Sequence, residues 1–101
     1  MHGTLKISEV NGNKWEVTIF PSACYSIGRG KDNDIVLDDV SVSSQHCRVR
    51  PEEGGFALHD LKSTNGTFVN ERRVTRHALA EGDVIKLGET YLQFRTSQKR
   101  A

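Results

Sequence analysis

At 101 residues the chain has room for one domain with a single core. Its 36% hydrophobic and 27% charged content is that of a globular protein, and 14 Lys and Arg against 13 Asp and Glu leave a net charge of +1. That balance lacks the basic excess of a nucleic-acid or membrane-surface binder. No apolar run reaches membrane-spanning length, and the start, Met1 to Lys6, lacks the apolar core of a signal peptide. The expectation is a soluble chain of the cytoplasm, or of the nucleus in a eukaryote.

Short apolar–polar alternations separated by turn residues predict an all-β sandwich or barrel. Thr4–Val10 and Lys14–Phe20 flank Asn11-Gly12-Asn13, where Asn-Gly supplies the positive φ of a tight hairpin. Trp15, Val17 and Ile19 share one face of the second run. Cys24–Arg29 and Ile35–Leu37 bracket a polar turn at residues 30–34. In His46–Arg50, Cys47 and Val49 face inward, and Pro51 is expected to end the strand. Phe56–Asp60, Thr67–Asn70 and a short segment near Val74 follow. Val84–Leu87 and Thr90–Arg95 form a last hairpin across Gly88-Glu89. Helical periodicity nowhere persists for three turns, and Arg76–Glu81 is predicted to be one turn at most. There is no internal repeat or linker. Residues 1–95 make one domain, and 96–101 are expected to be a loose tail.

Cys24 and Cys47 each sit among apolar neighbours and are expected to be buried thiols without a disulfide. No Cys-x-x-Cys or His-x-x-x-His spacing occurs, so neither a metal nor any other cofactor is expected.

Loops at the end of a sandwich commonly carry function. Three of them concentrate polar residues: Gly28-Arg29, then Ser41-Val42-Ser43-Ser44-Gln45-His46, then Lys62-Ser63-Thr64-Asn65-Gly66-Thr67. They hold a guanidinium, hydroxyls and carboxamides, with Lys62 as the other cation and no carboxylate. That inventory suits a phosphate. An arginine fork matches phosphate oxygens two at a time. Hydroxyls and loop N–H groups add directional donors, and an Asn amide grips both ends of a peptide group.

With these residues in place, the sequence resembles a forkhead-associated (FHA) domain from about Leu5 to Phe94. The likeness rests on Gly28-Arg29, on Ser43 and His46 three apart, on Asn65-Gly66-Thr67, and on Glu81-Gly82-Asp83-Val84-Ile85-Lys86-Leu87-Gly88, in that order. It implies an eleven-stranded sandwich of two antiparallel sheets that binds a phosphothreonine segment of a Ser/Thr-phosphorylated partner protein. It further implies that Arg29 and Ser43 hold the phosphate, that Ser44 and Thr64 add hydrogen bonds to it, and that Asn65 holds the ligand's main chain. Gly28, His46 and Gly66 would support the site. Ser44 departs from the Arg, Lys or Asn frequent at its position in the family, as do Val40 and Cys47 from Pro and Ala.

Other readings carry less weight. A Ser43–His46 nucleophile pair lacks an orienting third residue, so no enzyme is expected. Residues 28–33 lack the last glycine of a dinucleotide loop. Asn65-Gly66-Thr67 matches a glycosylation acceptor by accident of composition. Arg72, Arg73, Arg76 and Lys86 are scattered basic residues without interleaved aromatics. The alternative function is a scaffold or oligomerisation module of the same fold without phosphate dependence.

Overall fold

A computed structural model describes residues 2–96. Eleven strands follow one another: β1 (Gly3–Ser8), β2 (Lys14–Ile19), β3 (Tyr25–Gly28), β4 (Ile35–Val36), β5 (Cys47–Glu52), β6 (Gly55–Asp60), β7 (Thr67–Val69), β8 (Arg72–Val74), β9 (Arg76–Ala78), β10 (Val84–Leu87) and β11 (Thr90–Thr96). One sheet has the order β2-β1-β11-β10-β7-β8, the other β4-β3-β5-β6-β9. Every ladder is antiparallel except the two-residue parallel pairing of β3 with β4.

Alternation produces the core directly. Leu5 and Ile7 of β1, Ile85 and Leu87 of β10, and Leu92 and Phe94 of β11 project from one sheet. Ile27, Cys47, Val49, Phe56 and Leu58 project from the other, and all are buried. Phe56 and Phe94 meet edge-on across the interior at 6.0 Å between ring centroids. Each such side chain contributes roughly 1.5–3 kcal/mol by leaving water.

Three expectations need correction. Arg76–Ala78 is not a helical turn but the edge strand β9, paired with Ala57–His59. Pro51 does not end β5, which runs to Glu52. β3 pairs with β5 only as far as Val49, so beyond it β5 has a partner only in β6, and the missing proline N–H costs no ladder bond on the β3 side. Cys24 is exposed in the turn before β3, whereas Cys47 is buried, and both thiols are free. Burial pushes the Cys47 thiol well above its ordinary pKa, which makes it inert as a nucleophile. Thr96 belongs to β11, and the expected tail from residue 97 onward lies outside the described residues.

The β7–β8 hairpin closes through Asn70 and Glu71 at φ 50° and 72°, the left-handed pair of a type I′ turn. Asn tolerates this conformation, and its amide is anchored to Asp83 and to the Val84 N–H. Glu71 has no such dispensation. Glu71→Gly is expected to raise stability by about 0.5–1 kcal/mol, read as a higher urea midpoint. An unchanged or lower midpoint would show that Glu71 is not strained.

Candidate functional site

The three polar loops converge at one end of the sandwich. Arg29 leaves β3 with its N–H donating to the Ser43 carbonyl at 3.0 Å, while Gly30 N–H donates to the Ser44 carbonyl at 3.0 Å. The Arg29 Nε–H donates to the Val42 carbonyl at 3.0 Å. That bond fixes the guanidinium plane and leaves its two terminal nitrogens outward on an exposed side chain. Gly28 makes this approach feasible, since a Cβ there would stand 2.2 Å from the Ser44 carbonyl oxygen.

His46 is fully buried beneath the loops. Its Nδ1 accepts the Ser43 N–H at 3.1 Å, which can only donate, so Nε2 carries the proton and donates to the Gly66 carbonyl at 2.8 Å. One ring therefore ties the second loop to the third. Gly66 has φ 94°, and a Cβ there would lie 2.8 Å from the Arg73 Nε.

Ser43 Oγ accepts the Thr64 N–H at 3.0 Å, which leaves its own hydroxyl proton to donate. The Thr64 and Ser44 side chains are exposed, and neither hydroxyl has a partner among the described residues. The Asn65 Nδ2 donates to the Ser41 carbonyl at 2.8 Å. Its amide is thus half engaged within the chain, with Oδ1 and one N–H remaining for a ligand.

Four braces escaped the sequence reading because each looks like an ordinary turn former. Asn33 is buried, and its Nδ2 donates to the carbonyls of Gly30 at 2.8 Å and Ser44 at 2.6 Å, clamping the first loop to the second. Asp39 accepts from Ser41 N–H, Glu89 N–H and Thr90 Oγ1 at 2.9, 2.8 and 2.9 Å, pinning the second loop to the last hairpin. Asp60 takes hydroxyl protons from Ser63 and Thr67, and Ser63 Oγ in turn accepts the Gly66 N–H at 3.1 Å. For Asp39 and Asp60 the available signal was an Asp two or three residues before a Ser, the pattern of an Asx turn, and Asn33 carried none.

Burial would raise the carboxyls of Asp39 and Asp60, but the donors around each prevail and hold both below the ordinary carboxylate range. Asp83, hydrogen-bonded to Ala80, Asn70 and His77, follows the same rule. Depressed folded-state values stabilise the fold above the unfolded pKa of about 4, and this contribution is lost as pH falls through the folded values. Through these three carboxyls, chemical denaturation midpoints are accordingly expected to drop below about pH 4. Asp60→Asn should flatten that drop, and an undiminished slope would show that Asp60 does not carry it.

The site presents a guanidinium fork, hydroxyls and loop N–H groups on a rigid frame, and the carboxylates of Asp39 and Asp60 that brace it are engaged by internal donors. Such a surface complements a compact anion with several acceptor oxygens. Among the described residues, no group of three or more His, Cys, Asp or Glu is placed to hold a metal ion. No helix among them is long and apolar enough to cross a membrane.

Fold and loops together define a β-sandwich recognition module that meets its ligand at one end. The FHA domain model matches residues 25–88, and the chain belongs to the FHA domain family. It is 46% identical over 74 residues to the glycogen accumulation regulator GarA of Mycolicibacterium smegmatis, covering 73% of this chain and 47% of that protein. Against GarA of Mycobacterium tuberculosis it is 42% identical over 82 residues, covering 81% and 51%. The chain thus spans about half the length of these regulators. Among solved structures, it resembles an FHA domain studied for phosphothreonine-dependent interactions, with a TM-score of 0.84 and 34% identity, covering 98% of this chain and all of that one. It also resembles the FHA domain of FhaA complexed with the intracellular domain of Rv3910, with a TM-score of 0.79 and 36% identity over 92% of this chain and 99% of that one.

Proposed function

We propose that this module binds a phosphothreonine-containing segment of a partner protein and catalyses no reaction. One observation carries the reading: Arg29 is locked to the Ser43 loop through Nε and its main-chain N–H, and both its terminal nitrogens and the Ser43 hydroxyl proton remain available. In this reading Arg29 and Ser43 grip the phosphate, and Ser44 and Thr64 add hydroxyl donors. Asn65 holds the ligand's main chain with the half of its amide that Ser41 does not occupy. Gly28, His46 and Gly66 hold the loops in place. The related FHA domains, one studied for phosphothreonine-dependent interactions and one complexed with the intracellular domain of Rv3910, support the phosphothreonine reading. So does an EmbR structure bound to a phosphopeptide, similar at 28% identity and a TM-score of 0.76 over 97% of this chain and 26% of that one. Phosphorylation by a Ser/Thr kinase would then switch the partner on to the module, and the cytoplasm, where kinases meet ATP, is where we place the encounter.

The energetics are moderate. Charge-assisted hydrogen bonds contribute about 1.5–3 kcal/mol each, and two or three of them less the cost of ordering a peptide give a dissociation constant on the order of micromolar. Calorimetric titration with one threonine peptide, phosphorylated and unphosphorylated, tests this. Heat from the phosphorylated form alone is the expected result. Equal affinity for both would overturn it and favour a phosphate-independent scaffold.

A further inference from the structure

The outer face of the six-stranded sheet carries an ordered row of side chains. Register places Arg73 beside Phe68, Phe68 beside Lys86, Lys86 beside Tyr91, Tyr91 beside Ser8, and Ser8 beside Lys14. Inward neighbours such as Val69, Ile85, Leu87, Leu92 and Ile7 are buried, so by strand alternation the row faces outward. Tyr91 is 47% exposed, and Lys86 Nζ lies 5.9 Å from the centre of its ring. Among the described residues neither Lys86 nor Arg73 has a carboxylate partner. The scattered cations of the sequence thus become interleaved with aromatics once the strands pair.

Two clefts run along this face. One, of about 300 Å³, is lined by Ser41, Asn65, Phe68, Lys86, Gly88 and Glu89. It starts at the recognition loops. The other, of about 630 Å³, shares Phe68 and Lys86 and continues to Val84, Tyr91 and Glu71. Together they form one channel from Asn65 across the sheet. Lys86 is the only charge common to both, since Glu89 lines the inner cleft alone and Glu71 the outer.

We propose that this channel docks the stretch of the partner adjoining its phosphothreonine, and that it selects an acidic residue at Lys86 followed by an apolar residue over Phe68, Val84 and Tyr91. This rests on the phosphothreonine reading and assigns the same ligand a second, sequence-selective contact on the sheet. From Phe68 to Tyr91 is two strand spacings, about 10 Å, the reach of about three extended residues. Lys86 supplies charge complementarity, and the aromatics supply area that a short phosphopeptide leaves uncovered.

The probes are a five-residue phosphothreonine peptide with alanine flanks and the same core extended by six residues alternating Asp and Leu, on its N-terminal or its C-terminal side. A second pair of extended peptides carries Lys in place of Asp. One Asp–Leu extension is expected to tighten wild-type binding about tenfold or more. Lys86→Glu and Tyr91→Ala, both outward-facing, should each erase that gain and leave affinity for the core peptide unchanged. Wild-type protein that binds core and extended peptides alike, variants that keep the gain, or an equal gain with Lys would each overturn the proposal. A single-stranded oligonucleotide that binds wild type and is lost in Lys86→Glu would overturn it too, reassigning the face to nucleic acid. A core peptide bound equally with and without its phosphate would sink the phosphothreonine reading, and this proposal with it.

Discussion

Arg29→Ala is expected to weaken phosphopeptide binding about a hundredfold, close to 3 kcal/mol, with the fold intact. The estimate assumes that the guanidinium makes two charge-assisted bonds to phosphate, each shorter and stronger than a neutral one. Arg29 is exposed, and its in-chain side-chain bond is a single one to the Val42 carbonyl. Deletion should therefore leave the urea midpoint within the usual range of surface changes, about 0.5 kcal/mol. Arg29→Lys is the informative companion. It keeps the charge but loses the planar fork and the Nε anchor, so it should recover only part of the loss. An unchanged dissociation constant in Arg29→Ala would place the phosphate elsewhere.

His46→Ala should produce the largest loss of stability, about 3–5 kcal/mol. The ring is wholly buried and uses both nitrogens, one towards Ser43 and one towards Gly66. Truncation leaves a main-chain N–H and a carbonyl unpaired in a dry cavity, each costing about 1–3 kcal/mol. A loss of that size is a large part of the stability of a domain this small. Denaturation midpoints measure it, and a variant as stable as wild type would mean water replaces the ring without loss. Where enough protein folds, its phosphopeptide affinity should also fall, because Ser43 loses the bond that sets its loop.

The sequence made the sandwich legible wherever apolar and polar residues alternate for four or more positions, as in β1, β2, β5 and β11. It failed at β9, whose Arg-His-Ala has no alternation and owes its extended form to pairing with β6. Cys24 was misplaced for a related reason. The apolar pattern ran one residue past the ladder, which begins at Tyr25. At the site, the residues we propose to face the ligand were readable because guanidinium, hydroxyl and amide groups are out of place in a core. The braces Asn33, Asp39, Asp60 and Ser63 were not, since burial is a tertiary property and turn formers look alike until the loops meet. The aromatic row was hidden for the same reason. Phe68 and Tyr91 are 23 positions apart and become neighbours of Lys86 only through two ladders.

The pairing of β1 with β11, Gly3 opposite Thr96, has an architectural outcome. β11 begins at Thr90, beside the hairpin that Asp39 pins to the recognition loops, and runs seven residues away from them. At about 3.4 Å per residue, both Gly3 and Thr96 stand roughly 20 Å from that end. The two described ends therefore lie at the pole opposite the recognition loops, side by side, like two leads from one socket. The module can be spliced into a larger assembly without its own connections crowding the mouth that reads the partner.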